Sequence, residues 1–138
     1  MPARDLFHDT VRHALAKDGW IITHDPLRLS WGGKDLYVAL GAERLLAAEK
    51  EGRRIAVEVK SFIGASLIAD LERALGQYVL YHDIMERLEP ERTLYLAVRN
   101  EVFLDLFDEP VGTVLLEKER VRLLVFDVKT ETVVKWIP

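Results

Sequence analysis

The spacing of apolar residues along the chain predicts two long helices separated by short strands. Leu6, Val11 and Leu15 repeat at helical spacing and predict a helix over residues 3–18, which Gly19 ends. A second apolar stripe predicts a long helix over residues 66–88, which Pro90 ends. Short apolar runs predict strands over 20–23, 27–31, 36–40, 54–60, 93–98, 121–126 and 132–136, with short helices near 100–107 and 111–119.

Residues 43–51 allow two readings. The segment Glu43–Lys50 has a helix-forming composition, whereas Gly52 and its neighbours are typical of a hairpin turn that leads into the strand at 54–60. We favour a strand over 44–50 paired with 54–60, because a hairpin is the simplest way to place two adjacent strands.

This order of elements predicts an α/β fold with a mixed sheet. The strands at 54–60 and 93–98 are joined by the long helix, so they are expected to be parallel. Residues 121–138 are expected to add further β structure. The length of 138 residues fits a single domain spanning 1–138.

Composition excludes several kinds of site and of binding surface. The chain has no cysteine, which excludes disulfides and thiolate metal sites, and its four histidines show no metal-ligand spacing. The net charge of −4 excludes a uniformly basic surface for nucleic acid but leaves room for a local basic groove. The sequence shows neither a signal peptide nor an apolar run long enough to cross a membrane, so we expect a cytoplasmic protein without membrane partners.

The strand at 54–60 carries the first candidate chemistry. Glu58 and Lys60 are two residues apart, so both side chains are expected on one face of the strand. A carboxylate there could bind Mg²⁺ or Mn²⁺, and a lysine could stabilise charge during phosphodiester cleavage. The structural alternative is an ordinary ion pair on a strand surface.

The long helix carries the second candidate pair. Gln77 and Tyr81 are one turn apart and share a face. The alternative is a tyrosine packed in the core with a glutamine at the surface. An E-x-K strand followed by a Q-x-x-x-Y helix is nevertheless the arrangement found in metal-dependent nucleases of the PD-(D/E)xK class. We therefore predict that Glu58, Lys60, Gln77 and Tyr81 form one catalytic cluster.

The whole chain resembles the XisH-type excision-controlling factors, small proteins implicated in programmed removal of a DNA element from a chromosome. The resemblance implies a restriction-endonuclease-like α-β-β-β-α-β core. It also implies a role on DNA beside a recombinase and a second small factor of the XisI type. The segments that carry it are 2–8, 17–20, 40–43, 47–50, 55–62, 74–78, 89–92 and 134–137.

The chain departs from the family pattern at one position. The family places Asp in the short apolar strand, in the form Val-Asp-Leu, and this chain has Ala39 there. Asp35 lies four residues away, roughly 13 Å along an extended strand. Glu43 and Glu49 are further candidate ligands. With Glu58 alone, the site would hold Mg²⁺ weakly.

Two function classes therefore stay open. One is a metal-dependent endonuclease with a displaced acidic ligand. The other is a nuclease-fold scaffold that binds DNA or an XisI-type partner without cutting. Whether the chain is an enzyme, and whether it forms an oligomer, is left open by the sequence.

Overall fold

The computed structural model describes residues 6–38, 40–44 and 52–138, and for residues 37, 38 and 40–44 it describes the backbone alone. Four helices, one π-helical turn and eight strands follow one another along these residues. In chain order they are α1 (His8–Lys17), β1 (Ile21–His24), β2 (Leu27–Trp31), β3 (Lys34–Val38), β4 (Leu40–Arg44), β5 (Arg53–Val59), α2 (Leu67–Leu88), β6 (Arg92–Arg99), α3 (Asn100–Val102), the π-helical turn Phe103–Phe107, α4 (Pro110–Glu117), β7 (Leu123–Asp127) and β8 (Thr132–Ile137).

Six of the strands form one mixed sheet in the order β1-β4-β5-β6-β7-β8. Strands β5, β6 and β7 are parallel to one another, as the helical connection α2 between β5 and β6 requires. The outer strands β1, β4 and β8 pair antiparallel. The predicted α/β class and the parallel pairing of the 54–60 and 93–98 strands are confirmed.

Alternating side chains of the central strands fill two cores, one on each face of the sheet. On β5, Ala56 belongs to the core under α2, whereas Ile55, Val57 and Val59 belong to the core under α1. Strands β5 and β6 are therefore apolar on both faces, which is the pattern of a sheet covered on both sides. Any polar side chain on the even positions of β5 must consequently face α2.

The long helix forms as its sequence predicts. Ser66 caps its N-terminus, since the Ser66 hydroxyl accepts a hydrogen bond from the Ala69 N–H at 3.1 Å. Leu71, Ala74, Tyr78 and Met85 make up its buried stripe. Among the described residues, none of the helices is both long and apolar enough to span a bilayer.

The predicted strand over 36–40 is divided between two sheets. Residues 34–38 form β3, which pairs with β2 in a separate hairpin, whereas Leu40 begins β4 in the main sheet. The hairpin turns at Gly32 and Gly33, both with positive φ (58° and 77°), a conformation that glycine adopts at little cost. The apolar run 36–40 is continuous in the sequence, but its two ends pair with different strands.

The strand predicted over 44–50 falls on residues 45–50 except for Arg44, and residues 45–51 lie outside the described part of the chain. The described strand β4 covers 40–44 and pairs antiparallel with β5, with Leu40 opposite Val57 and Arg44 opposite Arg53. The first helix begins at His8 rather than at residue 3, and residues 1–5 are likewise outside it.

Candidate active site at the end of strand β5

Glu58 and Lys60 lie together at the C-terminal end of β5. Glu58 is opposite Leu96 of β6 and is 7% exposed on the α2 side of the sheet. Lys60 follows the last residue of the strand, and its N–H donates to the Ala97 carbonyl at 3.2 Å. Its Nζ lies 3.5 Å from Glu58 Oε1. The two side chains therefore share a strand face and form an ion pair.

Tyr81 approaches this pair from α2. Its ring packs against the core on that face of the sheet. Burial raises the pKa of the Tyr81 hydroxyl, and the negative charge of Glu58 raises this pKa further. The charge of Glu58 therefore acts on the Tyr81 hydroxyl.

Gln77 meets Lys60 across an open pocket of about 170 Å³. We call it the loop pocket; its walls are the 60–64 segment after β5 and the α2 residues Asp70, Arg73, Ala74 and Gln77. The structure thus links Glu58 to Lys60 and Tyr81, and Lys60 to Gln77. Glu58 and Tyr81 are not among the residues that line this pocket, and the grouping of all four residues into one catalytic cluster stays a prediction.

The other acidic candidates lie elsewhere or outside the described residues. Asp35 belongs to the β2–β3 hairpin, where its carboxylate accepts hydrogen bonds from Arg28 and Ser30, each at 2.8 Å. Glu43 pairs with Arg54, four positions from Glu58 along β5 and hence roughly 13 Å away by backbone register. Ala39 and Glu49 fall outside the described part of the chain.

Among the described side chains, Glu58 does not belong to a group of three potential metal ligands. Within the described ranges, the group of three potential ligands that could share an ion is His82, Asp83 and Glu86, and Glu58 is not part of it. That group lies on the surface of α2, where His82 Nδ1 is 3.2 Å from Glu86 and 3.3 Å from Asp83, the geometry of helix-surface ion pairs. Since Mg²⁺ takes several oxygen ligands, a second carboxylate beside Glu58 would strengthen its binding there.

A polar cluster that the sequence did not reveal joins α1 to the loop after β1. The Asp25 carboxylate is 9% exposed; it is 2.8 Å from His8 Nε2 and also accepts a hydrogen bond from Arg12. Burial acts to raise the pKa of Asp25, but the hydrogen bonds from His8 and Arg12 outweigh it and hold this pKa below its ordinary value. The helical spacing of His8 and Arg12 was visible in the sequence, but their shared partner was not.

This cluster predicts a pH-dependent contribution to stability. A carboxyl whose pKa is lower in the folded state stabilises the fold above its unfolded pKa of about 3.9. The contribution is lost as pH falls through the folded pKa. We expect Asp25→Asn to lower the free energy of unfolding by about 2 kcal/mol at neutral pH, with the difference from the parent shrinking below about pH 4.

Urea unfolding of the parent and Asp25→Asn between neutral and acidic pH measures this difference. Asp105→Asn, at an exposed position, is the matched control and should match the parent throughout. A difference for Asp25→Asn that is constant with pH would contradict the assignment.

Comparison with known proteins agrees with the resemblance read from the residues. A sequence model of the family described as XisH protein matches residues 1–134. An XisH family protein from Nostoc punctiforme PCC 73102 is 41% identical, with a TM-score of 0.87 over 97% of this chain and 100% of that chain. An fdxN element excision controlling factor protein from Anabaena variabilis is also 41% identical, with a TM-score of 0.87 over 98% of this chain and 100% of that chain. Among curated proteins, none matches the chain. The chain therefore belongs to the XisH family.

Proposed function

We propose that this protein acts on DNA to control the excision of a DNA element, through a nuclease-like site at the junction of β5 and α2. The relative from Anabaena variabilis is named for this role in excision. One observation supports this location of the site. Glu58 pairs with Lys60, and Lys60 lines a pocket together with Gln77.

The element order supports a restriction-endonuclease-like core. Helix α1, strands β1, β4 and β5, helix α2 and strand β6 follow the α-β-β-β-α-β order of that fold, with the β2–β3 hairpin inserted after β1. In such a core the E-x-K strand lies at the centre of the sheet, as β5 does here. At the end of this strand Glu58 is buried, whereas Lys60 is more exposed and lines the loop pocket, from which it could reach a DNA strand.

Each residue would have a distinct task in phosphodiester chemistry. Lys60, whose side chain is 29% exposed, can reach a phosphate and offset its developing negative charge. Glu58 holds Lys60 in place and would supply one oxygen ligand for Mg²⁺ or Mn²⁺. Gln77 can hydrogen-bond to the DNA backbone from the pocket wall. Cleavage then depends on a second carboxylate, which the family pattern supplies at the position of Ala39.

A second candidate function is a scaffold that keeps the nuclease fold without cutting. The observation in its favour is that Glu58 belongs to none of the three-ligand groups among the described side chains. Such a protein would present DNA, or bind an XisI-type factor, beside a recombinase. Measuring both DNA binding and cleavage separates the two candidates.

Binding of DNA by the isolated chain is expected to be weak and sensitive to salt. The net charge is −4, so attraction must come from a local groove, and each phosphate contacted gives a slope of about −0.9 in a plot of log affinity against log salt. Fluorescence anisotropy of a labelled duplex in EDTA, titrated at low and at moderate salt, measures this slope. Tight binding without salt dependence would contradict the prediction, and an absence of binding at low salt would overturn the proposed function.

A further inference from the structure

The loop pocket lies directly beside Lys60 and carries a second cation that the proposed chemistry leaves unused. We propose that this pocket binds a backbone phosphate of DNA adjacent to the one at Lys60, with Arg73 as its principal cation. The inference rests on the proposed action on DNA and names the contact that would position the DNA strand.

The two cations on the pocket walls are accessible to a ligand. The Arg73 side chain is 73% exposed, and one of its nitrogens, Nη2, is held by Asp70 Oδ1 at 2.9 Å. A guanidinium has five N–H donors, so others remain for a phosphate oxygen. Lys60 stands on the opposite wall, and its ammonium has three donors, only part of which Glu58 uses.

The wall formed by the 60–64 segment is held in place from three sides. Asp70 Oδ2 accepts a hydrogen bond from the Gly64 N–H at 2.9 Å, so one carboxylate fixes both the segment and Arg73. The Phe62 ring is buried against Phe107, with 6.4 Å between ring centroids. Arg99 donates to the Ser61 carbonyl. A pocket that is already ordered loses little entropy when it binds a ligand.

The pocket also offers an apolar surface beside its cations. Ile63 is 63% exposed at the rim, and Ala74 lies on the α2 wall. A nucleotide unit has the same pairing of an anionic phosphate with an apolar sugar face. Phe62, at φ 53°, turns the chain so that its own ring enters the core while the next residue stays at the surface. This placement of Ile63 fits a deoxyribose contact next to the bound phosphate.

The test measures the salt dependence of duplex binding for the full chain and three variants. A labelled DNA duplex in EDTA is titrated by anisotropy at several salt concentrations. Arg73→Ala removes the proposed cation, and Arg73→Lys retains the charge. Lys129→Ala is the control. Lys129 is exposed in the β7–β8 turn. The next residue, Thr130, accepts a hydrogen bond at its carbonyl from Lys17 of α1, which lies on the other side of the sheet from α2.

Arg73→Ala is expected to weaken binding roughly eightfold at about 0.1 M salt and to reduce the magnitude of the salt slope by about one. Arg73→Lys and Lys129→Ala should keep the parent's slope. A parent that binds while Arg73→Ala behaves like Lys129→Ala overturns this inference alone. A weaker Arg73→Ala complex with an unchanged slope also overturns it, since the loss would then be structural. If the parent does not bind DNA at all, the proposed function fails and this inference fails with it.

Discussion

Ala39→Asp is expected to raise Mg²⁺ and Mn²⁺ affinity by about tenfold or more and to give, or strongly increase, cleavage of double-stranded DNA. Residue 39 precedes Leu40, which pairs with Val57, and Val57 precedes Glu58. Residue 39 itself is outside the described residues, but the family pattern has an Asp at this position, so we expect a carboxylate there to share a metal ion with Glu58. Two carboxylates fix a dication and its bound water far better than one, because Mg²⁺ demands several well-placed oxygen ligands. Calorimetric metal titration and plasmid cleavage measure the two effects.

The double variant Ala39→Asp with Lys60→Ala is the control for mechanism. It should retain much of the gained metal affinity but lose roughly 10²–10³ in cleavage rate, because the lysine no longer stabilises transition-state charge. A parent that cuts as fast as Ala39→Asp would show that another residue supplies the ligand. If neither protein cuts with any metal, the fold serves here as a binding scaffold.

Gly112→Ala is expected to destabilise the fold by about 3 kcal/mol. Gly112 is buried at the N-terminal part of α4, and a methyl group there would collide with the Leu106 carbonyl oxygen and with Phe107 Cα. Both are backbone atoms of the π-helical turn, so the clash cannot be relieved by rotating a side chain. Urea unfolding at neutral pH measures the loss.

Gly76→Ala is the matched control. Gly76 lies in the exposed middle of α2, and a methyl group there meets nothing within 4 Å. The same substitution should therefore stabilise the protein by up to about 1 kcal/mol, since alanine is the better helix former. Equal effects at the two glycines would show that the approach of α4 to the π-helical turn is looser than the structure has it.

Local pattern predicted the elements that carry the candidate site. The apolar run of β5 and the stripe of α2 are strong periodic signals, and strand alternation alone placed Glu58 and Lys60 on one face. The Q-x-x-x-Y spacing likewise placed Gln77 and Tyr81 on one side of α2. These predictions depend on contacts between residues close in the chain, which the sequence specifies directly.

Strand partners were harder to predict than strands. The apolar run predicted one strand over 36–40, yet β3, which ends at Val38, pairs with β2, and β4, which begins at Leu40, pairs with β5. The choice of strand partner depends on hairpin geometry and on which edge of the main sheet is open. Neither property can be recognised from the spacing of apolar residues. Asp35 was a candidate ligand because it is four residues from Ala39, but the hairpin places its carboxylate beside Arg28 and Ser30.

The sequence by itself determined the α/β class and the parallel β5–α2–β6 unit, because these follow from periodicity and short-range spacing. It also suggested the residues of the candidate cluster, through their likeness to the motif of a known nuclease class. Only the tertiary structure decided that Glu58 is buried, that the charge of Glu58 acts on the Tyr81 hydroxyl and that Arg73 shares a pocket with Lys60. It also brought His8 and Arg12 onto Asp25. Each of these contacts joins different elements, so it depends on how the helices pack on the sheet. Packing is the sum of many small contacts across the whole chain, and no local pattern encodes it.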